Sequence, residues 1–207
     1  NAISGPSAGL MIWCTDCGTN GELQIYNGTY WTNLTGGSRS VSGRAQVGSD
    51  IDGEAAGDQS GRSVSLSSDG SIVAIGALGN DGNGTSSGHV RVYQNVSGTW
   101  TQVGSDIDGE AANDYSGWSV SLSNDGSIVA IGAISNDGNG SNSGHVRVYK
   151  NVSGTWTQVG SDIDGEAAGD ASGYSVSLSS DGSIVAIGAS NNDGNGSTSG
   201  HVRVYQN

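Results

Sequence analysis

Apolar side chains along most of this chain come in short, regular runs. Ser63-Val-Ser-Leu-Ser alternates strictly, which predicts a half-buried strand. Ile72-Val-Ala-Ile-Gly-Ala is apolar at successive positions, as in a strand covered on both faces. His89-Val-Arg-Val-Tyr returns to alternation, with Val90 and Val92 on one face and His89, Arg91 and Tyr93 on the other. Trp100-Thr-Gln-Val-Gly predicts a fourth strand. Polar punctuation separates the four. Ser68-Asp-Gly-Ser is a hairpin turn, with Gly70 able to take positive φ, and Asn95-Val-Ser-Gly is another. Asn80 to Gly88 is a polar loop, and Asp50 to Ser60 joins one set of strands to the next. No stretch keeps a helical period over ten residues or more.

The whole order then repeats. Val47-Gly-Ser-Asp-Ile-Asp-Gly-Glu-Ala returns at Val103 and at Val159, a period of 56 residues, and 47 of 56 positions are identical between the first two copies. Four short antiparallel strands per repeat are the pattern of a β-propeller blade. The expected fold is all-β: tandem four-stranded antiparallel blades of 56-residue period, propeller-like, completed within one chain or between chains. Near-identical copies also leave open a linear stack in place of a ring.

Composition first argues against this and then explains it. Leu, Ile, Val and Phe number 38 of 207, Phe is absent, and the net charge is -13. Few aliphatics and high charge ordinarily indicate disorder. Stacked blades resolve the conflict, because sheets covered on both faces bury a small apolar inventory efficiently, and Ala74, Gly76 and Ala77 let sheets approach closely. So acidic a chain cannot follow a phosphate backbone, and no apolar run approaches the ~20 residues of a membrane span. Nucleic-acid partners and a membrane span are not expected. The chain begins with Asn in place of Met and shows no signal peptide, so it reads as processed or truncated.

Gly61-Arg-Ser-Val-Ser, Asp69-Gly, Val73-Ala-Ile-Gly-Ala and Gly88-His-Val-Arg-Val-Tyr, in that order, resemble the FG-GAP (integrin-α-like) repeat of extracellular propellers, over roughly 45–207. The resemblance implies secreted, surface-exposed blades. The family's calcium loop, Asp-x-Asn-x-Asp-Gly-x-x-Asp, falls where this chain has Ser67-Ser-Asp-Gly-Ser, so that metal site does not carry over. The family's Phe-Gly is also missing, since Ser60 precedes Gly61.

The ends are out of phase with the repeats. Residues 1–44 form a divergent half-repeat with a Cys-x-x-Cys hairpin and a polar linker. Within it Tyr26 and Trp31 parallel Tyr93 and Trp100. Residues 45–207 hold three repeats, the last without its outer strand, while 45–51 repeats the end of a fourth strand. Either 45–51 closes the last blade within the chain, or another chain supplies the strand.

Candidate chemistry is repeated rather than unique. Cys14 and Cys17 lack the positive surroundings a thiolate needs and the further ligands zinc needs, so a disulfide is the expectation over free thiols or a redox pair. Asp81 and Asn83, with their copies Asp137, Asn139, Asp193 and Asn195, carry oxygen ligands at alternate positions. That spacing can wrap Ca²⁺, but no later bidentate acid follows, so a plain Asx turn is the favoured reading over calcium. Asp50, Asp52, Glu54 and Asp58 form a second acidic cluster, and proximity of the two clusters would favour calcium. His89 and Arg91, copied twice, are expected to pack on or pair with a neighbouring unit. Gln59 and Arg62 become Tyr115 and Trp118, then Ala171 and Tyr174. Tyr115, Trp118 and Tyr174 are candidates to stack on a sugar or protein partner, or to pad the unit junctions. Sequons at Asn27, Asn33, Asn83, Asn95, Asn139, Asn151 and Asn195 fall at turns or strand ends, accessible to glycans.

Threefold copying argues against catalysis, which ordinarily uses one asymmetric constellation. The expected function is a non-enzymatic extracellular structural protein, a subunit of a surface assembly or filament that partners copies of itself by strand completion. The other reading is an adhesin that recognises glycan or protein through a propeller face, with calcium as its cofactor.

Overall fold

The structure, a computed structural model, describes residues 45–206 throughout and the backbone of three strands before them. The chain divides into two compact units, Asn1–Gln46 and Val47–Asn207. In the first, β1 (Met11–Cys14), β2 (Glu22–Tyr26) and β3 (Trp31–Asn33) form an antiparallel meander in the order β1-β2-β3. Met11 stands opposite Ile25, and Tyr26 opposite Trp31. The expected Cys14–Cys17 bridge, the sequon at Asn27 and the side chain of Asn33 lie outside the described residues.

The second unit holds three sheets. The first is β4 (Ser63–Leu66), β5 (Ile72–Ala77), β6 (His89–Val96) and β7 (Thr99–Gln102), paired in that order. After β7 the chain continues along the same edge of β6 as a strap. Val103 N–H donates to Val92 O at 2.8 Å, β8 (Ile107–Asp108) pairs Ile107 with Val90 and Asp108 with His89, and Gly109 N–H donates to Gly88 O at 2.7 Å. The second sheet repeats this with β9 (Ser116–Leu122), β10 (Ile128–Ala133), β11 (His145–Val152), β12 (Thr155–Gln158) and β13 (Ile163–Asp164). Among the described residues the third has only β14 (Ser172–Leu178), β15 (Ile184–Ala189) and β16 (His201–Gln206). The fold is all-β, in propeller-like antiparallel blades of the expected period. The segment 47–52 carries no strand assignment and does not close the third sheet, so of the two closures the sequence allows, the one within the chain is not formed.

Local chemistry explains the hairpins. The Asp69 carboxylate accepts from Ser71 N–H at 2.9 Å, from Ser67 Oγ at 2.7 Å and from Ser71 Oγ at 2.8 Å. These donors favour the ionised form and hold Asp69 down to about 2. Gly70 takes φ +71, as the turn requires. Asp125 and Asp181 repeat the arrangement and are likewise lowered.

The apolar core lies between sheets. Ala74, Val90, Val92 and Ile107 of the first repeat and its strap pack on Leu122, Val129 and Ile131 of the second. Ala130, Val146 and Val148 then pack on Val185 and Ile187 of the third. β5 and β10 are buried on both faces, and the second sheet belongs to two cores at once. Close approach depends on glycine. A Cβ on Gly76 would strike the Gly117 carbonyl, and one on Gly132 the Gly173 carbonyl. Small polar groups complete the contact: Ser63 Oγ donates to Gly117 O and Ser119 Oγ to Gly173 O, each at 2.7 Å.

Candidate functional site

The straps bring acids to the polar faces of the third strands. His89, on β6, is 1% exposed because straps cross on either side of it. Its Nδ1 lies 3.8 Å from Glu54 Oε2 on the preceding strap and 3.8 Å from Asp106 Oδ2 on the following one. His145 sits the same way, 3.8 Å from Glu110 Oε2 and 3.9 Å from Asp162 Oδ2. Burial, then the nearby Arg147 guanidinium, push His145 below its ordinary value, and the two acids act in the opposite sense. His201 keeps the first acid, with Glu166 Oε2 at 3.4 Å.

Each glutamate is oriented from behind. Arg91 Nη1 is 3.5 Å from Glu54 Oε1, Arg91 Nη2 donates to Asp52 O at 2.8 Å, and its guanidinium lies 5.5 Å from the Tyr93 ring centre. Arg147 does the same for Glu110, Asp108 O and Tyr149. Arg203 pairs with Glu166 and donates to Asp164 O. The aspartates are steadied too: Gln102 Nε2 donates to Asp106 Oδ1 at 2.6 Å, and Gln158 Nε2 to Asp162 Oδ1 at 2.7 Å. Only the imidazoles meet a carboxylate of the next repeat, Asp106 at His89 and Asp162 at His145, whereas Arg91 and Arg147 pair with Glu54 and Glu110 of their own repeats. The sequence does not signal that the acids of two successive straps meet on one imidazole.

The Asp/Asn loops hold straps. Asp81 Oδ1 accepts from Ser86 N–H at 2.8 Å, while Asn83 Nδ2 donates to Gly109 O at 3.0 Å and Glu110 O at 2.8 Å. Asp137 accepts from Asn142 N–H at 2.7 Å, and Asn139 Nδ2 donates to Gly165 O and Glu166 O. Asp193 accepts from Thr198 N–H at 2.6 Å, and Asn195 N–H donates to Ser199 Oγ at 3.2 Å. These side chains serve backbone groups, so Asn83 fixes the strap that carries Glu110. Of the acids in the second cluster, Asp58 is buried, where Oδ2 accepts from Ala55 N–H and Asn80 Nδ2. Asn95 and Asn151 are half-buried, their Oδ1 atoms accepting from Gly98 and Gly154 N–H.

The variable position 62/118/174 forms a row. Arg62 Cζ lies 4.3 Å from the Trp118 ring centre, and the Trp118 and Tyr174 rings are 5.7 Å apart, tilted by 49°. Tyr174 is 49% exposed, whereas Tyr115 is half-buried with φ +57.

The two end faces of the stack are apolar. Val202 and Val204 of β16 are 68% and 65% exposed, although their counterparts Val90, Val92, Val146 and Val148 are buried. At the other end Val64 and Leu66 of β4 are 63% and 59% exposed, where their counterpart Leu122 is buried.

Stacked antiparallel blades joined by acidic straps define a tandem β-blade repeat protein. Residues 51–93 and 105–149 match the model of the FG-GAP repeat. Among solved structures, hydrazine synthase from Kuenenia stuttgartiensis is similar at 14% identity and a TM-score of 0.47, covering 100% of this chain and 49% of that one. The periplasmic gluconolactonase PpgL of Pseudomonas aeruginosa is similar at 15% identity and a TM-score of 0.46, covering 95% of this chain and 49% of that one. The chain thus spans about half the length of these proteins. No curated protein matches it. Among the described residues no helix is long and apolar enough to cross a membrane.

Proposed function

We propose that this protein is a non-enzymatic structural subunit that works outside the cell and joins copies of itself end to end. The observation that carries the reading is the complementarity of the two end faces. Val202 and Val204 at one end, and Val64 and Leu66 at the other, are the two halves of the contact that the chain already makes between its own sheets. The strap supports the same assembly. By the register seen at β8, residues 47–53 of one copy add to the open edge of β16 in another, with Ile51 opposite Val202 and Asp52 opposite His201. Trp100 Nε1 already donates to Val47 O at 2.8 Å, so the strap is shaped on its own sheet before any partner arrives. Such a contact is heterologous and propagates. The strong negative charge keeps free subunits soluble.

Sedimentation velocity and negative-stain imaging over a concentration series test this. Species that grow with concentration into unbranched fibres are expected; a monomer at every concentration overturns the proposal. The second reading, a binding module, rests on the row of exposed Arg62, half-buried Trp118 and exposed Tyr174. A monomer that binds immobilised glycans and loses binding in Trp118→Ala would favour it.

A further inference from the structure

We propose that each complete pair of straps builds a site for a divalent transition metal, with Zn²⁺ as the fitting ion: Glu54, His89 and Asp106 in one, Glu110, His145 and Asp162 in the other. In each group one nitrogen and two carboxylate oxygens lie within 4.8 Å of one another. Donors ~2.1 Å from a common ion stand roughly 3–4 Å apart, and the imidazole nitrogen stands 3.8–3.9 Å from each carboxylate oxygen here.

The imidazole supplies the second, independent observation. His145 Nδ1 is buried in a side chain 1% exposed and has no hydrogen-bond partner. It faces two carboxylate oxygens at distances too long for hydrogen bonds and right for a shared cation. A buried polar atom left without a partner costs free energy, and an ion between the three groups removes that cost. His89 repeats the geometry.

Surroundings and access also fit. Each glutamate uses one oxygen toward the site and the other toward Arg91 or Arg147, and each aspartate does likewise with Gln102 or Gln158. Outer partners of this kind fix ligand orientation. The carboxylates are partly exposed, Glu54 at 44% and Asp106 at 29%, so an ion enters from solvent while the imidazole stays covered. An imidazole nitrogen selects a borderline metal over calcium, which takes six to eight oxygens. The sites are distinct from the Asp/Asn loops and from the end faces, and they do not depend on assembly.

The test uses the full chain after chelator treatment and dialysis. Zinc titration by calorimetry, with bound metal counted by elemental analysis, is expected to give two ions per chain, undisplaced by excess Ca²⁺. Asp106→Asn and Asp162→Asn keep Oδ1 for the glutamine and alter only the oxygen that faces the imidazole. Each should lower the count to one, and the double variant to none. Nitrogen NMR of the unmutated chain needs no variant: zinc should move the Nδ1 resonances of His89 and His145. Absence of zinc binding, an unchanged count in the double variant, or Nδ1 resonances that stay in place each overturn the proposal.

Discussion

Gly132 stands where the second and third sheets come closest, with the Gly173 carbonyl over its Cα. Gly188 holds the same position in the third sheet, and an added Cβ there meets only Ser175, whose hydroxyl can rotate away. Gly132→Ala therefore has to push a backbone carbonyl, and overpacking of this kind costs about 1–3 kcal/mol. Gly188→Ala should be near neutral, helped by the lower conformational entropy of alanine in the unfolded chain. Urea unfolding of both variants checks the contrast; equal losses would mean that the sheets do not need the glycine gap. The sequence suggests small residues for close approach at Ala74, Gly76 and Ala77. It also shows that His89 and Arg91 share the polar face of a strand. It does not show what that face meets. Glu54, His89 and Asp106 are far apart along the chain and converge only because each strap runs back along the edge of a third strand.

Elements were legible wherever side chains alternate. The four strands of the repeat, the Asp-Gly hairpin and the incomplete last blade follow from period and phase. β8 and β13 did not, because two residues inside an acidic linker give no alternation to read. The Asp/Asn loops show the same limit. Asn83 and Asn139 have calcium-like spacing, but their amide nitrogens donate to the next strap, a partner that lies in another repeat. The edge of β16 gives an observable consequence. β11 is paired on both edges, by β10 on one side and by β12 and β13 on the other, whereas among the described residues β16 pairs only with β15. In dilute protein the outward amides of His201–Gln206 should exchange far faster than those of His145–Lys150, and gain protection when subunits are concentrated. Equal protection of the two strands in dilute solution would show that the β16 edge is already covered.

At the scale of the whole molecule, the proposed end-to-end assembly assigns the contact to the two apolar ends and gives it a direction. Val64 and Val202 are each more than 60% exposed, and fully burying a valine is worth about 1.5–3 kcal/mol. Leu66, Val204 and the strap would add to the same contact. An aspartate at either position places an unpaired charge in the contact. Val64→Asp leaves the β16 end intact, and Val202→Asp leaves the β4 end intact. If the contact is head-to-tail, neither variant associates with itself, because each lacks one half of the only productive pair. Mixed in equal amounts, they still own one good β16 end and one good β4 end, so they form a dimer and stop there. A contact between like ends would behave differently: Val64→Asp alone would dimerise through its unaltered β16 face, and mixing would add nothing. Sedimentation velocity on each variant and on the mixture separates these outcomes. Variants that each polymerise as the unaltered chain does would place the assembly contact somewhere other than these two faces.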